Sequence, residues 1–323
     1  ASFPSIKVSM LCADRAGEIL RGQPYIDDLY MSPITSSGLF RICTKLRKKK
    51  FDLAVNLMPQ TSFLSAIKIY FLLALINARA WAGRNTEKRG FFYDIEIKEE
   101  KMQTENEVLL YGRLLKAIGG DSFDGSLEFN ISDINRGKAL LFLSRERKFL
   151  EKTLLLISPG ADWPAKRWPI ERYAELLNRL KDEFPYVEFG IIGSKDEIHL
   201  ADSLKEKAGD SVCILSGKIP LDILPAVLEK AALLITNESG TSHIARAIGI
   251  PALILAGSSQ PAYFSIKGNA ASPVIYHSAS CAPCLKVSCD EMDCWKAISV
   301  DEVFEAASKM LRGIIYESDS KSS

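Results

Sequence analysis

Residues 153–193 read TLLLISPGADWPAKRWPIERYAELLNRLKDEFPYVEFGIIG, and their order decides the fold. The run 153–158 is short, β-rich and almost wholly apolar, which predicts a buried strand. A turn rich in Pro and Gly follows, then a helix over 170–184 and a second strand over 187–192 that ends in a glycine turn. Strands separated by a helix pair in parallel, in the layered α/β class. Gly160 lets the first turn's backbone approach a ligand closely. Pro169 sits near the start of the helix, where a missing N–H costs little. Lys166 and Arg167 therefore hang over the C-terminal end of the first strand, where a phosphate would sit. The plainer alternative is a surface Lys-Arg pair beside structural Trp residues.

The same alternation extends in both directions. Downstream it predicts helix 197–208, strand 213–215, helix 221–231, strand 233–236, helix 242–247, strand 252–255 and a last helix at 300–311. Upstream it predicts strands at 5–12, 26–31 and 51–57, with an extended segment at 80–83. The helices expected between them lie at 16–21, 38–50, 62–77 and 104–118. The charged, helical stretch 133–152 reads as the segment between two domains, 1–150 and 151–313, with a polar tail at 314–323. Both domains are expected to be doubly wound, with ligands at the C-terminal ends of the strands in the crevice between the two.

Composition narrows the function. The 323 residues carry 41 Lys and Arg against 40 Asp and Glu, a net charge of +1. An electrostatic nucleic-acid binder needs a basic surplus, so nucleic acid is not the expected partner. The first five residues lack the basic and apolar regions of a secretory signal. Residues 63–78 are strongly apolar but contain Lys68 and fall short of the ~20 residues that span a bilayer. They predict a helix that is buried or touches a membrane surface. The basic run 47–50 fits a solvated helix C-terminus. Of the seven cysteines, Cys12, Cys43 and Cys213 are isolated in apolar surroundings, and no scattered disulfide framework is visible. A reducing cytoplasm is therefore expected.

Three further segments carry chemistry. IIGSKDE at 191–197 runs a strand through a glycine turn into a helix opening with acids. The helix dipole and capping favour acids there, and Glu197 is also a candidate acceptor of hydrogen bonds from ribose hydroxyls. TNESGTSH at 236–243 passes from a strand into a helix whose first turn presents Ser239, Gly240, Thr241 and Ser242, a ready anion site, with His243 beside them. The Gly-Lys-Ser/Thr ending of a P-loop is absent. Cys281, Cys284, Cys289 and Cys294 are spaced C-x2-C-x4-C-x4-C. Four thiolates suit a tetrahedral, structural zinc site, with free thiols or local disulfides as the alternatives.

Together these segments resemble glycosyltransferase family 9, the ADP-heptose:lipopolysaccharide heptosyltransferases. The matching runs are PGADWPAKRWP at 159–169, IIGSKDE at 191–197 and TNESGTSHIARAIGIPALILAG at 236–257. CAPCLKVSCDEMDC at 281–294 is similar to a segment of many members, and GEILRGQPYIDDLY at 17–30 and FDLAVNL at 51–57 are compatible. The resemblance implies the GT-B fold, two facing Rossmann-like domains, with the nucleotide-sugar donor held mainly by the second. It implies that Lys166 neutralises the donor diphosphate, that Glu197 contacts the ribose, and that Gly160 lies in the donor turn. Ser239, Gly240 and Thr241 would then cradle phosphate and sugar, with His243 lining the same pocket.

The implied reaction is sugar transfer from ADP-heptose to the lipopolysaccharide inner core, with inversion and without a cofactor, at the cytoplasmic face of the inner membrane. Glu238 stands where the family has Asp, so its carboxylate reaches one methylene farther. Members also open with a strand and a Gly-Asp turn whose Asp is taken as the general base. Residues 5–12 look like the family's second strand, so roughly 25 to 35 residues are expected upstream, and Asp14 is not that base. Two alternatives stay open: a relative that binds nucleotide-sugar without turnover, and a GT-B transferase or epimerase using a UDP-sugar.

Overall fold

A computed structural model describes residues 5–33, 35–102, 105–121, 123, 125–209, 212–264, 271–284 and 286–322. The chain divides into two units, one of Ala1–Ser126 with Ala262–Lys267, the other of Leu127–Pro261 with Gly268–Ser323.

In the first unit, β1 (Ser9–Ala13), α1 (Asp14–Leu20) and β2 (Asp28–Ser32) form a parallel pair in which Leu11 lies opposite Tyr30. After α2 (Ser36–Arg47), a second parallel sheet contains β3 (Leu53–Asn56), β4 (Ala80–Thr86) and β5 (Ile95–Glu99) in that order, with α3 (Phe63–Ile76) as the β3–β4 crossover. Ser62 and Ser65 cap the start of α3 by exchanging hydrogen bonds between side chain and backbone. Asn77, in the left-handed conformation, ends it. Helix α4 (Glu107–Ala117) buries Leu110 and Leu114 against Ala82 and Ile97.

Strand β5 is an addition to the sequence reading. Its outer charges hid it, yet Glu99 is fully buried because Arg84 donates to it at 2.8 Å and Thr86 Oγ1 at 2.6 Å. Arg84 also holds Glu107 at 2.7 Å, tying β4, β5 and α4 together.

The second unit opens with α5 (Asp133–Glu146). Its expected place between domains gives way to a place in this unit's core. Ala139 and Leu143 are buried there, and Arg136 forks onto Glu229 at 3.0 Å. Then come β6 (Thr153–Ser158), α6 (Ile170–Glu183), β7 (Val187–Ile191), α7 (Ile198–Ala208), β8 (Val212–Ile214), α8 (Leu224–Leu228), β9 (Leu233–Asn237), α9 (Gly240–Ile248) and β10 (Ala252–Ala256). The chain continues through α10 (Pro261–Phe264), β11 (Val274–Tyr276), α11 (Asp293–Lys296) and α12 (Val300–Ser322).

Among the described residues the six strands are parallel in the order β11-β10-β9-β6-β7-β8. Numbered within the unit this is 3-2-1-4-5-6, the doubly wound order. Alternation along β6 explains the layers. Leu155 and Ile157 enter the core under α6, α7 and α12, while Leu154 and Leu156 enter the one under α5, α8 and α9. Helix α6 buries Tyr173, Ala174, Leu176, Leu177 and Leu180, one stripe of a 3.6-residue period. The expected polar tail at 314–323 is helical to Ser322, because Ile314 and Ile315 extend the apolar stripe of α12.

Candidate active site

The second sheet has a switch point between β6 and β9, where successive connections leave to opposite sides and ligands bind in α/β sheets. The turns after these two strands carry the candidate residues. They are stitched together by Asn237, the fully buried last residue of β9. Its Nδ2 donates to the Pro159 carbonyl at 2.7 Å, and its Oδ1 accepts from the Trp168 N–H at 3.1 Å and the Tyr173 hydroxyl at 3.0 Å.

Between those anchors, Pro164–Lys166 form a single 3-10 turn. The Ala165 N–H donates to the Val287 carbonyl at 3.1 Å, and the Trp295 indole donates to the Ala165 carbonyl at 2.8 Å. The residue before Lys166 is thus held on both sides.

Lys166 projects to Glu238, Nζ to Oε2 at 2.7 Å. The Ser259 hydroxyl donates to the same oxygen at 2.9 Å, and His243 Nε2 lies 3.3 Å from Oε1. Burial would raise the carboxyl pKa, but the hydrogen bond from His243 and the charge and hydrogen bond of Lys166 hold it at about 2. Arg246 lies one turn along α9 and is buried, which lowers its pKa, while the charge of Glu238 raises it. The carboxylate therefore sits among Lys166, His243 and Arg246.

The start of α9 lies beside this cluster. Ser242 Oγ accepts from the Ser239 N–H at 3.2 Å and donates to the Ser239 carbonyl at 2.7 Å. Ser239 Oγ is buried at this helix N-terminus, turned toward the Ser242 N–H as in a capping box, and makes no other hydrogen bond among the described residues. A side chain at Gly240 would meet open space, so the backbone there is unobstructed. The helix leaves the first N–H groups of this turn for a ligand.

Gly160 and Glu197 form a second part of the site. A Cβ at Gly160 would lie 2.1 Å from Glu197 Oε1, so the glycine admits the Glu197 carboxylate rather than a ligand alone. Glu197 Oε2 accepts from the Ser194 N–H at 2.8 Å and the Ser194 hydroxyl at 2.9 Å, which is the capping arrangement. Oε1 faces the Arg167 guanidinium at 3.9 Å. Arg167 itself donates to the Ala161 carbonyl at 2.8 Å.

The structure thus brings Lys166, Glu238 and His243 into contact, places Ser239, Gly240 and Thr241 at the adjoining helix start, and puts Gly160 with Glu197. It adds Asn237, Ser259, Arg246 and Trp295, which the motifs did not single out. Ser259 follows β10, so its position in a third strand-end turn, 257–259, was the available signal.

Cys281, Cys284 and Cys289 precede α11, and Cys294 lies in it. Among the described residues, no three His, Cys, Asp or Glu side chains are grouped to hold a metal ion. All seven cysteines are free thiols, so the local disulfides do not occur. Short helix α11 sets the direction. Its Trp295 is anchored on Ala165, and Cys294 beside it is buried in the core, its thiol pKa raised by burial and then by the neighbouring cysteines. Cys281 is exposed, and Cys289 donates to the Glu291 carboxylate at 3.2 Å.

The sequence profile of glycosyltransferase family 9 (heptosyltransferase) matches residues 39–295. Lipopolysaccharide heptosyltransferase 2 of Escherichia coli K12 is 25% identical over 277 residues, covering 81% of this chain and 77% of that one. A solved glycosyl transferase family 9 protein from Veillonella parvula superposes with a TM-score of 0.73 at 22% identity, over 95% of this chain and 88% of that chain. The solved E. coli ADP-heptose lipopolysaccharide heptosyltransferase II superposes with a TM-score of 0.72 at 19% identity, over 98% of this chain and 91% of that chain. The shared architecture is GT-B.

Proposed function

The chain belongs to glycosyltransferase family 9, and from that premise we propose that it moves a heptosyl group from ADP-heptose to the inner core of a lipopolysaccharide, with inversion at the anomeric carbon. The observation that carries this reading is the Lys166–Glu238 pair lying against the start of α9 at the switch point. The names of the relatives supply the sugar and the acceptor class.

In this mechanism an acceptor hydroxyl oxygen forms a bond to the anomeric carbon. The bond from that carbon to the β-phosphate oxygen breaks, and its electron pair leaves with ADP. The hydroxyl proton goes to a base. Negative charge builds on the leaving diphosphate, so groups that meet that charge act mainly in the transition state. Lys166 exchanges Glu238 for the diphosphate, and the N–H groups at Gly240 and Thr241 with the Ser239 hydroxyl complete the anion cradle. Glu197, already desolvated beside Gly160, offers Oε1 to ribose hydroxyls.

The test is to mix the protein with ADP-heptose and a heptose-free inner-core acceptor. ADP release matched by a new glycoside of inverted configuration is expected. Product formation from a UDP-sugar instead, or retained configuration, would overturn the reading.

A further inference from the structure

The first unit carries an apolar surface that its own packing does not use. Helix α3 is FLSAIKIYFLLALI, apolar on every side, with Lys68 its one charged residue. It buries Ala66 and Leu73, yet leaves Leu64 70% and Phe71 60% exposed. Phe63, Ile67 and Tyr70 are exposed with them. Positions 63/64, 67 and 70/71 recur every three or four residues and so form one outward face.

Ring contacts extend this face beyond the helix. Tyr70 packs edge-on against Phe92 at 5.6 Å and Trp81 at 5.7 Å, and Phe92 packs against Phe91, which is 73% exposed. A contiguous apolar and aromatic patch of this kind on a protein surface marks an interaction site.

Among the described residues, unpaired cations lie in the patch and at the end of the neighbouring helix, while Asp52, next to the basic run, is paired with Arg79 and Asp94 accepts from the Trp81 N–H. Lys68 lies within the patch. Helix α2 packs against α3, and its end carries Arg47, Lys48, Lys49 and Lys50. Among the described residues none of these five has an acidic partner, whereas Arg79, Arg84 and Arg89 of the same unit are paired.

We propose that this face of α3, with Phe91 and the basic end of α2, docks on a bilayer surface that carries anionic headgroups. The inference deepens the reading of the acceptor as a lipid-borne saccharide and rests on it for its purpose. A 14-residue helix is too short to cross a bilayer, and no described helix is long and apolar enough to do so. An apolar face flanked by cations instead lies in the headgroup region, where burial of side chains and attraction to anionic lipid add. A second copy of the chain fits less well. A two-fold contact would set the same cationic face against itself.

Flotation of the full chain with vesicles tests this without donor or acceptor, so the result is independent of the sugar-transfer reading. Vesicles of phosphatidylcholine alone are compared with equimolar phosphatidylcholine and phosphatidylglycerol. The expected result is flotation with the anionic vesicles only, weakened by salt. Replacing Lys48, Lys49 and Lys50 by Glu should lower partitioning by at least about 100-fold, since each lysine near the surface is worth about fivefold. Leu64→Asp with Phe71→Asp should lower it by about tenfold or more. Both variants should keep wild-type ADP affinity and melting temperature, which shows that they fold. No flotation of the wild type, or flotation of folded variants equal to wild type, overturns the proposal. So does a stable dimer in solution that Leu64→Asp dissociates.

Discussion

Glu238 and Lys166 bring opposite charges to the proposed diphosphate site, and the two should answer mutation with opposite signs. Glu238→Gln removes a negative charge beside the diphosphate site, so ADP should bind several-fold tighter in a titration. The same substitution reports on acid stability. The folded carboxyl sits at about 2 against a usual value of 4.5. A lowered pKa contributes stability above the unfolded value that is lost as pH falls through the folded one. The wild type should therefore exceed Glu238→Gln by roughly 2 to 3 kcal/mol near neutrality, a gap that closes between pH 4.5 and 2 in denaturant titrations. A constant gap across that window would remove the assignment of the charge to this contact. These residues were legible in the sequence because charged and small polar side chains after buried strands have few structural uses. Ser259 and Arg246 were not. Their part depends on which way a side chain points from its element, and spacing carries no such information. Within the cysteine run, spacing likewise does not tell which thiol is buried: the helix that holds Trp295 puts Cys294 in the core. Of these four, thiol labelling should accordingly modify Cys281 first and Cys294 last.

The turns after β6 and β9 act as one element because Asn237 joins them. Asn237→Ala leaves the Trp168 N–H and the Pro159 carbonyl without that partner in a buried place. A loss of about 2 to 4 kcal/mol is expected in equilibrium unfolding, together with weaker ADP binding. An unchanged ADP affinity in that variant would mean that the Lys166 turn holds its shape without β9. The strands themselves were readable where both faces are buried, since TLLLIS and ALILA have no polar side to confuse their period. Strand β5 escaped notice because IEIKE carries three charges, one of which Arg84 neutralises out of sight of the local sequence. Strand β11 is only three residues long and has no pattern to read. Helix α5 was readable as a helix but not as part of the second unit, because its allegiance rests on Arg136 reaching Glu229, 93 residues away.

At the scale of the whole chain, the two units differ in how their strands are covered. Every residue of β7, β9 and β10 and all of β6 but Thr153 is buried, while β1 is half-buried throughout and β3 is no better covered. Native-state hydrogen exchange should therefore find the slowest amides in β6 and β9 and markedly faster ones in β1 and β2. The better-buried sheet is the one that carries the proposed anion site, which suits a site whose groups must stand ready before charge develops. In the proposed function the donor diphosphate is held at this sheet's switch point by Lys166 and the start of α9. Isothermal titration of ADP into the wild type and Lys166→Ala tests it most directly. A loss of about 1.5 to 3 kcal/mol, or roughly 10- to 150-fold in affinity, is expected, with the fold intact by circular dichroism. Equal ADP affinity in the folded variant would contradict it.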